Sequence, residues 1–218
     1  MRTLNIKKMN YICKCTRANF TNENYTYWED RKTTTDELEI IDYLKKFRNM
    51  KNKNILHIGI GNSFLANNFI NNCQITGITI SNKEILKARS LKLNNYNYFL
   101  CDKYSINFKD LILDQKFDFI VDTNLKSFSC CQKTFEFMID NMLVLIKDGG
   151  ELITSRNGMN WVKELKPKIS FSIDKLFYFK LKEVEGKISN KLSLEEIKTL
   201  SHRHNIKMSF DEKLCYLK

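Results

Sequence analysis

The chain is short of the residues that make linkers: one proline and seven glycines among 218 residues, with no Pro-, Gly- or Ser-rich tract. Nothing marks a domain boundary, and this length suits one α/β domain with a proper core. No apolar run approaches the roughly 20 residues that cross a bilayer. The opening MRTLNIKKMNYICK also lacks the apolar centre of a secretion signal. A cytoplasmic protein with no membrane partner is therefore expected. Histidine is scarce, at three. The seven cysteines, at 13, 15, 73, 101, 130, 131 and 215, include no pair with knuckle or redox spacing. No metal site is predicted, and the thiols read as small buried apolar groups in a reducing compartment. Arginine is scarce too, at 7 against 29 lysines, within a net charge of +11. With 24 asparagines and only three alanines beside them, the lysines follow a bias toward A- and T-rich codons. Base-reading proteins lean on the arginine fork, and no basic run of five occurs. A nucleic-acid partner is not favoured.

What is present is an organising stretch, Lys53 to Phe69, KNILHIGIGNSFLANNF. It reads as a strand over Ile55–Ile58, a turn carrying Gly59 and Gly61, and a helix from near Ser63 over Phe64–Asn71. A strand ending in glycines before a helix presents backbone N–H groups to an anionic part of a ligand. Upstream, Thr34 and Glu37 form a capping box for a helix with Leu38, Ile41, Leu44 and Phe47 as its apolar stripe.

Downstream, strand and helix alternate. A second strand over Ile75–Ile80 leads to a Ser81/Glu84 capping box and a helix to about Asn94. Tyr96–Cys101 is a third strand with Asp102 just past it, and Phe117–Val121 a fourth with Asp122 at its tip. The helix bearing Cys131, Phe135, Met138, Met142 and Leu145 is broken by Asp148-Gly149-Gly150 before a fifth strand, Glu151–Thr154. Such alternation implies parallel strands with right-handed crossovers. The rhythm stops over 156–192, which holds Pro167 and the aromatics Phe171, Phe177, Tyr178 and Phe179. Ser193 and Glu196 then cap a helix carrying Leu194, Ile197, Leu200 and His204. Strands Ile206–Phe210 and Leu214–Leu217 close the chain as a hairpin. The expectation is a three-layer, doubly wound α/β fold on a mostly parallel seven-stranded sheet ending in an antiparallel hairpin. Its parts are an N-terminal segment and helix over 1–50, a core over 53–155, an insertion over 156–192 and a closing helix and hairpin over 193–218.

The glycine turn excludes two nucleotide classes. A P-loop needs lysine before its Ser/Thr, and Gly61-Asn62-Ser63 has none. A dinucleotide turn needs a third glycine where Phe64 stands, and a ribose acid where Thr79 stands. Taken in order, the strand–GxG–helix, GITIS, the Asp after the third strand, FDFIVD and LVLIKDGGELI resemble the class I S-adenosylmethionine-dependent methyltransferases. The resemblance covers residues 35 to 155 and the terminal helix and hairpin.

It implies S-adenosylmethionine as cofactor. The methionine end would lie on the backbone around Gly59, Gly61, Asn62 and Ser63, the ribose and adenine at Thr79 and Ile80, and the adenine amino group at Asp102 with Cys101 beside it. Asp122, Thr123 and Asn124 would face the methyl group, Asp122 being the candidate general base for a hydroxyl acceptor. Two acids usual in this family are replaced, by His57 and Thr79. His57 reads equally as a group touching the cofactor's amino-acid end or as a core histidine. The Asp/Asn-Pro-Pro-aromatic and Pro-Cys motifs of nucleic-acid methyltransferases are missing, which favours a small polar acceptor such as a sugar. Trp28, Arg31, Asn124, Arg156 and Trp161 are the candidate acceptor-binding residues. An RNA-directed methyltransferase and a cofactor-binding relative without catalysis are the alternative readings.

Overall fold

The structure is a computed structural model, described here for residues 10–12, 32–110, 115–127, 129, 131–156, 192–205, 207, 209 and 213–216 and for the backbone of 111, 162–165, 186–189, 208, 210 and 217. Five α-helices appear among these residues, α1 (Thr35–Phe47), α2 (Phe64–Phe69), α3 (Asn82–Ser90), α4 (Gln132–Leu143) and α5 (Leu194–His204), with one 3-10 turn over Lys109–Leu111. The main sheet comprises β1 (Lys53–Ile58), β2 (Cys73–Thr79), β3 (Tyr96–Leu100), β4 (Phe117–Asp122), β5 (Ile146–Ser155), β8 (Met208–Phe210) and β9 (Leu214–Leu217). Its order is β3-β2-β1-β4-β5-β9-β8. β1 to β5 run parallel, β9 is antiparallel to β5, and β8 pairs antiparallel with β9. Strands β6 (Val162–Leu165) and β7 (Gly186–Ser189) form a separate antiparallel pair. The seven-stranded sheet with its terminal hairpin agrees with the sequence expectation.

Alternation along the strands divides the core between the two faces. Ile55, Ile75, Phe119, Val121 and Ile153 pack with Ile40, Ile41 and Leu44 of α1 and Leu65, Ala66 and Phe69 of α2. Leu56, Ile78, Ile120 and Leu152 pack on the other side with Phe135, Met138 and Met142 of α4 and Ile197 and Leu200 of α5. The result is three layers. It places every strand C-terminus of the parallel part on one edge of the sheet.

Three local expectations change. The buried face of α1 is Glu37, Ile40, Ile41 and Leu44, while Leu38 and Phe47 are exposed. A strict spacing of three drifts about 60° per step around a helix, so the two ends of that stripe face opposite ways. Asp148-Gly149-Gly150 does not precede β5 but lies inside it. Gly149 adopts φ +74°, and pairing with β4 shifts between Phe117 and Phe119, so the glycines make a bulge. The helix before it stops at Leu143, leaving Leu145 buried beyond its end. Only the α5 capping box closes in the form read from the sequence: Ser193 Oγ accepts from Glu196 N at 3.2 Å and Glu196 Oε2 from Ser193 N at 2.9 Å. No helix among the described residues is long and apolar enough to cross a membrane.

Candidate functional site

The turn after β1 carries positive φ at Gly59 (+74°), Gly61 (+51°) and Ser63 (+63°). A Cβ built on either glycine meets nothing within 4 Å, so open space lies over the turn. Its conformation is held from both flanks. Asn62 Oδ1 accepts from Phe64 N at 3.1 Å, and Ser63 Oγ lies 3.1 Å from Tyr96 Oη. Tyr96 reaches Ser63 by crossing Gly77, where a Cβ would stand 3.0 Å from the tyrosine hydroxyl and 2.7 Å from Ile60 Cγ2.

The turn's donors are met by two carboxylates from other elements. Glu84, on the first turn of α3, accepts through Oε2 from Gly61 N at 3.1 Å and from Thr79 Oγ1 at 2.5 Å. Glu37, on the first turn of α1, accepts from Leu65 N at 3.2 Å. Glu84 and Glu37 thus bring carboxylates to the turn and to the start of α2 from two other helices, whereas positions 57 and 79 carry none. The sequence marked both residues, but as third positions of capping boxes; an acid on the first turn after a strand tip was the available signal. Both are buried. Glu84 brings Gly61 and Thr79 together, while Ile80 follows half-buried.

His57 is fully buried, and neither ring nitrogen has a hydrogen-bond partner among the described residues. Burial pushes its imidazole down to about 4, so the ring is neutral near pH 7. At the end of β3, Cys101 N donates to Thr79 O at 2.8 Å, and burial pushes the Cys101 thiol upward. Asp102 Oδ1 accepts from Tyr104 N at 2.9 Å.

Asp122 ends β4, 2% exposed, with both carboxylate oxygens engaged. Oδ1 accepts from Asn124 N at 3.1 Å and Oδ2 from Lys103 Nζ at 2.8 Å. Lys103 was not singled out in the sequence; a lysine directly after a strand-end aspartate carries no pattern of its own. Asn124 is 8% exposed, and its Oδ1 has no partner among the described residues. Arg156, just past β5, is tied by its backbone N to Lys213 O at 2.8 Å and by its O to Leu192 N at 3.0 Å. Trp28, Arg31 and Trp161 lie outside the described residues.

Glu37, Glu84, Asp102, Asp122 and Lys103 are the buried charged groups named at this edge. A chain with a net charge of +11 therefore presents four buried carboxylates against one ammonium at its strand tips.

No family model and no curated protein matches the chain. Solved structures do. The N-methyltransferase NodS from Bradyrhizobium japonicum WM9, in complex with S-adenosyl-L-homocysteine, superposes with a TM-score of 0.55 at 15% identity, covering 90% of this chain and 91% of that one. This chain has the class I S-adenosylmethionine-dependent methyltransferase fold. A methyltransferase from Clostridium acetobutylicum ATCC 824 gives 0.52 at 12% identity over 89% and 94% of the two chains. A TehB-like methyltransferase from Corynebacterium glutamicum ATCC 13032 gives 0.52 at 12% identity over 89% and 90%. In the terms of this methyltransferase fold, the acids and the glycine turn described above gather at the sheet edge where α/β proteins bind ligands.

Proposed function

We propose that the protein is an S-adenosylmethionine-dependent methyltransferase acting on a small polar metabolite. The observation that carries this reading is the open glycine turn at the end of β1, bordered by buried carboxylates from α1 and α3. A carboxylate-lined cradle suits a ligand bearing a sulfonium and an ammonium, and nothing lies within 4 Å of where a Cβ on Gly59 or Gly61 would stand.

The cofactor supplies a methyl carbon already activated by its sulfonium. The chain's own residues would hold it: the turn over Gly59–Ser63, with the buried His57 just before it, at the amino-acid end, Thr79, Ile80 and Glu84 at the ribose, and Cys101 and Asp102 at the adenine. Asp122, Asn124 and Arg156 are assigned to the acceptor side; Trp28, Arg31 and Trp161, the other acceptor candidates of the sequence, lie outside the described residues. Aromatic and guanidinium groups of that kind suit a sugar or its nucleotide conjugate, which makes a sugar hydroxyl the acceptor to try first. With both its oxygens engaged, Asp122 serves better as a fixed hydrogen-bond acceptor than as the general base expected of it. Taking a proton would leave the Lys103 ammonium buried without its partner.

Calorimetric titration with S-adenosylmethionine tests the reading. Saturable binding that is lost in Gly61→Val supports it, and no heat or thermal shift at millimolar cofactor rejects it.

A further inference from the structure

Asp102 and Asp122 follow or end strands that are not neighbours, since β2 and β1 lie between β3 and β4. Three strand spacings of about 4.8 Å put the two tips roughly 14 Å apart across the sheet edge. Lys103, in the loop that follows Asp102, meets the tip of β4. Lys103 Nζ donates to Asp122 Oδ2 at 2.8 Å, to the carbonyls of Asn124 and Leu125 at 2.9 Å each, and lies 3.3 Å from Ser127 Oγ. Beside it, the Tyr104 hydroxyl donates to the Ser127 carbonyl at 2.6 Å. Consecutive side chains of one loop thus staple the whole 122–127 turn, while the same loop is anchored at its start by Tyr104 N on Asp102 Oδ1.

An ammonium buried to 7% exposure is costly unless it is paired and its three protons are placed. Here one carboxylate and two carbonyls take all three. An apolar side chain of similar length would fill the same volume without that desolvation cost, so packing alone does not account for a lysine. What the ammonium adds is a fixed position for polar atoms of the turn. Four oxygens from four residues lie within 3.3 Å of this one ammonium.

We propose that Lys103 is a positioning residue that ties the β4 turn to the Asp102 loop, so that both ends of the ligand cradle are held as one piece. The inference rests on the S-adenosylmethionine reading above, and it assigns Lys103 to the join between the adenine end of the ligand, at Asp102, and its methyl side, at Asp122. The substitution Lys103→Met is tested by calorimetry with two probes, S-adenosylmethionine and 5′-methylthioadenosine, which lacks the amino-acid arm but keeps the adenine and the 5′-sulfur. Affinity for both probes is expected to fall about tenfold or more. Lys103→Arg, which keeps a cation in the cage, is expected to recover part of the loss for each. A loss confined to one probe, no loss for either, or no recovery in Lys103→Arg overturns the proposal. If Lys103→Met fails to fold, the double substitution Lys103→Met with Asp122→Asn removes both charges together and carries the same two-probe comparison against Asp122→Asn. A wild-type chain that binds neither probe overturns the cofactor reading instead, an outcome distinct from a failure at Lys103.

Discussion

His57 is a fully buried ionisable side chain in the strand that leads into the glycine turn. A buried imidazole with no partner for either nitrogen loses solvation that nothing in the described core returns. Its folded value of about 4 lies below its ordinary 6.5. Between those values the unfolded chain binds more protons than the folded one, so stability falls as pH drops through that window. The steepest loss is roughly 1.4 kcal/mol per pH unit. Urea unfolding of the wild type and of His57→Leu at pH 7, 6, 5 and 4 measures it. The leucine variant is expected to lack that slope and to match or exceed wild-type stability at pH 7; an unchanged slope would falsify the assignment. A parallel loss of S-adenosylmethionine affinity in the same variant would place His57 against the ligand rather than only in the core. Asp118 shows the opposite behaviour at the other edge of the sheet. Burial raises its carboxyl, but Asn54 N at 2.9 Å, Lys147 at 2.7 Å and Lys53 at 2.9 Å outweigh it and bring it to about 2. Its contribution is present above the ordinary carboxylate range near 3.8 and disappears as pH falls through about 2. Asp118→Asn is expected to cost about 1–3 kcal/mol at pH 7, read from denaturant midpoints, because two lysines lose a charged acceptor.

At the level of elements, the glycine turn and α3 act together. Glu84 links Gly61 N to Thr79 Oγ1, so the end of β2 and the turn after β1 share one carboxylate. Glu84→Gln keeps the shape and removes the charge. It is expected to weaken S-adenosylmethionine about tenfold while shifting the melting temperature by only a few degrees, measured by calorimetry and thermal melts on the same samples. Gly77→Ala probes the adjoining contact. Its Cβ would meet Ile60 Cγ2 at 2.7 Å and the Tyr96 ring at 3.1 Å, which predicts a loss of about 1–3 kcal/mol from overpacking. A variant as stable as wild type would show that Tyr96 and Ile60 can retreat together. One helix and one strand were also read imperfectly. α1 turned its stripe because threefold spacing drifts, and β5 begins before the glycines because a bulge absorbs them.

For the molecule as a whole, charge is unevenly distributed. A net +11 chain places four buried acids and one lysine at its strand tips. If the excess lysine mainly reflects codon composition, RNA affinity will be weak and nonspecific. Binding to a mixed-sequence RNA, followed from 50 to 200 mM salt, is then expected to be already micromolar or weaker at the low end. Tight binding with a steep salt slope would instead favour the RNA-directed alternative. The reading of the fold was more complete than that of the site for a physical reason. Periodicity reports which face of each strand and helix is buried, and that suffices to order α/β units. Asp102, Asp122 and the glycine turn were legible because strand ends are local features. Lys103 and the second role of Glu84 were not, because each acts across strands far apart in the chain.

By itself, the sequence determined the alternation of strands and helices, the open glycine turn and the acids at two strand ends, since these depend on short-range pattern and backbone conformation. Only the tertiary structure decided which groups answer them. β2 and β1 separate β3 from β4, so a lysine three residues past β3 becomes the partner of Asp122 only once the sheet is assembled. A first-turn helix acid becomes the partner of Gly61 N only when α3 docks against the end of β2. Burial then converts both contacts from ordinary surface polarity into fixed geometry, because in a water-poor edge each charge holds to the oxygen or N–H that the fold places beside it.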